Sequence, residues 1–157
     1  FEQGAATYVS QGNIKVVYME EGVIIRGDGV YIVSPRGNLL NSYAFDGKTI
    51  RSADGNGDGC ALILAENDIS SKKSAIVFDK SGKIVYNEAI SETAETVRLC
   101  GDAIFLQCSD GIERIRTGNG HSEKFVCVTD GRFMLAYDET CVLLCSSKRA
   151  VFCRFGN

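Results

Sequence analysis

A short motif recurs along this chain at a nearly constant interval: a β-branched or aromatic run closed by a glycine. Gly37 follows YIVSPR, Gly82 follows AIVFDKS, Gly120 follows IERIRTGN and Gly156 follows AVFCRF. These glycines stand 45, 38 and 36 residues apart. The two copies that agree best are VFDKSGK at 77–83 and VFCRFGN at 151–157. A repeat of this length marks one supersecondary unit. Such a unit cannot bury its apolar face alone and must stack on its neighbours.

The unit is clearest at 74–90, SAIVFDKSGKIVYNEAI. Ala75, Ile76, Val77 and Phe78 suit a pleated, half-buried surface. Gly82 can take the positive φ that a tight Lys80-Ser81-Gly82 turn needs. Ile84, Val85 and Tyr86 then resume a strand. One hairpin is marginal in water, so it needs partners, and the chain offers them. The first period reads as strands at 14–19, 23–26, 30–34 and 39–45, and the second as strands at 49–53, 60–66, 75–79 and 83–90. The third offers 96–100, 103–108, 112–116 and 123–128, and the last 133–137, 141–146 and 150–155. Turn signals such as Asp46-Gly47, Gly101-Asp102, Asp110-Gly111 and Asp130-Gly131 separate them. The repeats so bounded are 13–46, 47–91, 92–129 and 130–157, within one domain over 1–157. Only 90–97 (ISETAETV) has helical character, with Ser91 as an N-cap. A polar connection between repeats is the favoured reading there.

Four-stranded units at a period of roughly 40 residues are the signature of β-propeller blades. The chain resembles the degenerate propeller repeats of the WD-repeat and PQQ-enzyme-like families over nearly its whole length. It departs from them in having no Gly-His…Trp-Asp pair and no tryptophan at all. It is also similar to the extracytoplasmic region of uncharacterised bacterial proteins that carry such repeats behind a membrane anchor, which would imply an anchor upstream of Phe1. The resemblance implies an all-β fold of four-stranded antiparallel blades, arranged as a four-bladed propeller or a half-propeller. The fourth repeat lacks its last strand. The segment 5–10 (AATYVS) is expected to supply it, pairing beside 151–155 and closing the ring within one chain. The competing arrangement is an open half-ring, in which two chains meet to give eight blades. The chain is thus expected to be a monomer or a homodimer.

Composition narrows the function classes. The net charge is −3 and no basic run is present, which argues against nucleic acid as a partner. No apolar run approaches the roughly 20 residues that span a bilayer. Membrane association is therefore expected only through a segment outside this chain. The seven cysteines include no CxxC pair, so a zinc site of the usual spacing is absent. Most lie in apolar runs, where a free cysteine packs as a small hydrophobe. Cys108 and Cys145 are expected to be buried and reduced. The pattern favours a reducing compartment or an anaerobic source, with one or more disulfides as the alternative.

Few stretches could carry chemistry. Asp54, Asn56 and Asp58, in DGNGDG, read as a tight loop with three side-chain oxygens around one cation, as Ca²⁺ wants. The motif looks like the calcium loops of EF-hands and integrin-type blades. It lacks their later carboxylate, with Leu62 and Ala65 at those positions. A hairpin turn that binds nothing is the alternative. His121, the only histidine, sits in a Gly-rich turn and is expected to be solvated rather than catalytic. Arg114 and Arg116 alternate along one strand and share a face. They read as a charged, solvent-facing edge or as a contact for an acidic partner. Tyr8, Tyr18, Tyr31, Tyr43, Tyr86 and Tyr137 read as packing between blades or as the lining of a peptide surface. The sialidase-type Asp box and the dinucleotide glycine motif are both missing. The expectation is a non-catalytic binding or scaffold module with a protein or peptide partner and no cofactor. The alternative is a weak calcium-binding or carbohydrate-binding propeller.

Overall fold

The structure, a computed structural model, describes residues 15–18, 22–26, 29–33, 36, 38–66, 71–127 and 133–156. The segment 5–10, expected to close the ring, lies outside them. The described residues form only strands and turns. Sheet I is β1 (Lys15–Tyr18), β2 (Gly22–Arg26), β3 (Gly29–Val33) and β4 (Leu39–Ala44). Sheet II is β5 (Thr49–Asn56), β6 (Gly59–Ala65), β7 (Lys73–Asp79) and β8 (Ile84–Ile90). Sheet III is β9 (Thr96–Cys100), β10 (Ala103–Cys108), β11 (Gly111–Arg116) and β12 (Ser122–Val126). Sheet IV is β13 (Phe133–Asp138), β14 (Cys141–Cys145) and β15 (Ala150–Arg154). Each is an antiparallel meander, its strands paired in chain order. Residues 91–95 form a turn, with Ala94 N–H donating to Ser91 O at 3.1 Å. The helical character of 90–97 is not realised. Among the described residues no helix is long and apolar enough to cross a membrane.

The sheets stack face to face in chain order, and side-chain alternation deals each strand's residues to two interfaces. In β6, Cys60, Leu62 and Leu64 face sheet I, packing with Val30, Ile32 and Phe45. Ala61 and Ile63 face sheet III, packing with Val97, Leu99, Ile104 and Leu106. Both faces of β6 are covered and every one of its residues is buried. This is why GCALILA reads as a continuous apolar run rather than an alternating one. Strand β10 repeats the device: Ile104 and Leu106 face sheet II, while Ala103 and Phe105 join Met134, Val142, Leu144 and Cys153 of sheet IV. The first strand of each sheet lies innermost, with β1 beside β5, β5 beside β9, and β9 beside β13.

The core clusters join I to II, II to III and III to IV; among the described residues none joins IV to I. Sheet IV is correspondingly bare on its far side, with Phe133, Leu135, Tyr137 and Phe152 exposed. Among the described residues the sheets stack in series, as the blades of a propeller do.

The turn of the 74–90 unit acts as a lock between sheets. Asp79 Oδ1 accepts hydrogen bonds from Ser81 N–H at 2.9 Å, Ser81 Oγ–H at 2.6 Å and Lys83 N–H at 3.0 Å. Gly82 then sits at φ 81° against Ile32 of sheet I, where a Cβ would come within 2.8 Å of that side chain. Its carbonyl accepts from Asn41 Nδ2 at 2.8 Å. None of the seven cysteines is in a disulfide. Cys108 is buried as expected, but Cys145 is only half-buried. Its strand neighbours Leu144 and Val142 face sheet III, which leaves Cys145 on the bare side of sheet IV.

Candidate functional site

The DGNGDG stretch was expected to be a loop; instead strand β5 runs through Asn56, and only Gly57 and Asp58 form the turn. A strand brings residues i, i+2 and i+4 to one face. Here that face carries Ser52, Asp54 and Asn56, and it is turned toward β9. Ser52 Oγ accepts from Val97 N–H at 3.1 Å, and Asp54 Oδ2 accepts from Leu99 N–H at 2.8 Å. Asn56 Nδ2 donates to Leu99 O at 2.8 Å, and Asp58 Oδ2 accepts from Gly101 N–H at 2.9 Å. Donors and acceptors advance together along both strands, so β5 and β9 run parallel. The side chains of one strand bond to the backbone of the other. In this way two inner strands from different sheets are zipped without a shared ladder. Asn56 Oδ1 also accepts from Asp58 N–H at 2.8 Å and shapes the turn.

The zipper has an electrostatic centre. Burial pushes the Asp54 carboxyl above its ordinary value, opposed by the Leu99 N–H and by the Arg98 guanidinium. Arg98 lies 3.9 Å from Asp54 and donates through Nε to Met134 O at 2.8 Å, tying sheet IV into the same seam. Because the folded carboxyl is raised, its ionisation opposes folding, and the opposition grows as pH rises through the carboxylate range. Asp54→Asn, which keeps an acceptor oxygen, is expected to change stability little and to flatten that pH dependence. Asp54→Ala leaves the Leu99 N–H without its acceptor and is expected to cost about 1–2 kcal/mol. Urea unfolding of both variants between pH 4 and 8 checks this pair; equal losses in the two would contradict it.

Beyond the zipper, where the turns of sheets II and III meet, lies a cleft of about 470 Å³. Its apolar floor is Val77, Val85 and Leu99, the Phe78 ring being turned to sheet I, and its rim carries Asp58, Asp79 and Asp102 with one cation, Lys80. Burial raises Asp79, but its hydrogen bonds from Ser81 and Lys83 outweigh this and hold it below the usual carboxylate range. The cleft is therefore apolar below and anionic above, with its floor on strands and most of its rim on turns. Among the described residues, no cluster of three or more His, Cys, Asp or Glu side chains is arranged to hold a metal ion.

Other residues singled out in the sequence have different places. His121 is exposed, its ring 3.4 Å from Glu123. Arg114 is not at a solvent-facing edge: it is 1% exposed and lies between sheets III and IV. There its guanidinium stands 5.4 Å from the Phe155 ring centre. On β11, Arg114 shares a face with Ile112, which packs toward sheet IV, so the alternation that was read as outward points inward. Tyr43 packs against Phe78 between sheets I and II, and Tyr86 against the cluster between II and III. Tyr137 is exposed, Tyr8 lies outside the described residues, and the side chain of Tyr18 is not described. Sequence reasoning missed Ser52 and Arg98. The first left a legible signal, because S-x-D-x-N-x-D has the period of a strand and not of a ligand loop.

The arrangement matches known folds. Hsv2 of Kluyveromyces lactis superposes with a TM-score of 0.62 at 18% identity, covering 94% of this chain and 50% of that one. The WD40 domain of Neurospora crassa Pan2 gives 0.60 at 12% identity, covering 90% and 51%. BamB of Moraxella catarrhalis gives 0.58 at 14% identity, covering 91% and 45%. No family model and no curated protein matches the sequence. The chain spans about half the length of these structures. The likeness shows that it is built of degenerate β-propeller repeats.

Proposed function

We propose that the protein is a non-catalytic binding module that captures a protein or peptide segment in the cleft between sheets II and III. The observation that carries this reading is the cleft's combination of an apolar floor with a rim of three carboxylates against one lysine. A segment bearing an apolar anchor flanked by Lys or Arg fits that chemistry. The fold by itself does not carry the reading, because propellers host many activities.

The test is selection of a displayed peptide library against the intact chain. Enriched peptides are expected to be basic with at least one large apolar residue. Their affinity should fall roughly tenfold or more in Asp102→Lys, and should weaken as salt rises. Enrichment of acidic peptides, or affinity indifferent to Asp102, would overturn the proposal. The calcium reading of Asp54, Asn56 and Asp58 is separable from it. A melting temperature that rises with millimolar Ca²⁺ and no longer does so in Asp58→Ala would favour that alternative.

A further inference from the structure

We propose that Cys127 and Cys153 form an oxidisable thiol pair, whose disulfide pins sheet IV to sheet III. This inference is independent of the peptide cleft, which lies between sheets II and III.

The first observation is register. Residues two apart along a strand share a face. Cys127 follows β12, and its N–H extends the ladder by donating to Asp110 O at 3.3 Å. It therefore stands on the same face as Phe125, and both pack into the cluster between sheets III and IV. On β15, Val151 and Cys153, with Phe155 just beyond, share the face that enters the same cluster. Phe125 and Phe155 meet edge to face, with ring centroids 6.3 Å apart. Two residues forward from Phe125 and two residues back from Phe155, the same crossing sets Cys127 against Cys153. The two thiols are joined by a hydrogen bond.

The second observation is how the two thiols differ. Cys153 is 0% exposed, whereas Cys127 is half-buried and open to small reagents. Burial and the neighbouring Cys127 push the Cys153 thiol up to about 12, so it keeps its proton and donates the hydrogen bond. An oxidant therefore meets Cys127 first, with Cys153 held behind it. Other thiols have different neighbours. Burial, then the carboxylates of Asp58, Glu139 and Asp138, push the Cys100 thiol up. Cys108 is buried against the Ser91 and Thr93 hydroxyls. Cys141 is a third thiol near Cys153, but it is buried on the adjacent strand of the same sheet, opposite Arg154. The step is exchange with a low-molecular-weight disulfide such as glutathione disulfide. Cys127 Sγ gives its proton to water and attacks one sulfur of that disulfide; the departing thiolate is protonated from water. Cys153 Sγ then attacks Cys127 Sγ, and its proton passes to the second departing thiolate. Two protein thiols become one disulfide, and the small disulfide becomes two thiols. The new bond holds β15 to the end of β12 and constrains the unfolded chain as well.

The test is incubation of the native, reduced chain with glutathione disulfide, followed by tryptic mapping without reduction. The expected product joins fragment 125–132 to fragment 150–154. Cys141 lies on a different fragment, 133–148, so a bond from Cys141 to Cys153 is read separately. The cross-link should be lost in Cys127→Ser and retained in Cys141→Ser. Cys127 is half-buried, so its variant should fold, which circular dichroism checks. The oxidised chain should melt roughly 5 °C or more above the reduced chain, and that difference should vanish in Cys127→Ser. Predominant linkage of 150–154 to 133–148, links between chains, a glutathione adduct on Cys127 that goes no further, or a cross-linked chain that melts no higher than the reduced one would each overturn the proposal.

Discussion

Replacing Arg114 with alanine is expected to lower the unfolding free energy by about 3 kcal/mol, because it removes a buried cation that ties three segments together. Nη1 donates to Glu139 O at 3.2 Å, in the turn between β13 and β14. Nη2 donates to Gly156 O at 2.7 Å and to Glu123 Oε2 at 3.0 Å. Glu123 is 30% exposed and can turn to water once its partner is gone, so the ion pair is the smaller part of the loss. The larger part is the void over Phe155 and two carbonyls left without their donor. Arg114→Met should recover some of the loss, since it refills the volume and also removes Nε, which is buried with no partner among the described residues. Guanidinium unfolding with an unchanged m-value is the measurement. A loss below about 1 kcal/mol for alanine would show that sheet IV is held without this side chain.

The second large effect concerns backbone contact rather than charge. Gly59 opens β6 with φ at +152°, and a Cβ there would stand 2.1 Å from Phe78 O on β7. Neither strand can retreat within the sheet, because β5 flanks β6 and β8 flanks β7. Gly59→Ala is expected to cost about 2–4 kcal/mol through the clash and the backbone strain. Gly57, two residues earlier, meets nothing within 4 Å, so Gly57→Ala should stay within about 0.5 kcal/mol of wild type. The pair separates contact from any general value of glycine in this stretch. Sheet III repeats the situation at Gly111, whose Cβ would stand 2.2 Å from Phe125 O. Thermal melts of the three variants decide the matter; Gly59→Ala and Gly57→Ala melting together would refute the steric account.

Local physics alone marked out much of this protein. Strand-and-turn content followed from β-branched runs closed by Asp-Gly and Ser-Gly, because those residues settle backbone choices with their immediate neighbours. The interval between repeats then required four-stranded units that stack, since no single meander here could bury its own face. What the local pattern could not show was which neighbour each side chain meets. Alternation on β11 shows that Arg114 shares a face with Ile112, but only packing decides that this face looks into sheet IV and not into water. The same holds for Asp54, Asn56 and Asp58. Side-chain oxygens in a glycine-rich run read locally as a loop, and only packing brings β9, more than forty residues away, parallel to β5, where Asp54 and Asp58 accept from the Leu99 and Gly101 amides. Which face of sheet IV is covered is also a tertiary fact. Among the described residues Met134 and Cys153 meet sheet III, while Phe133, Leu135 and Phe152 on the other face are exposed. No residue-by-residue pattern encodes that difference, because it is a property of surfaces brought together by distant parts of the chain.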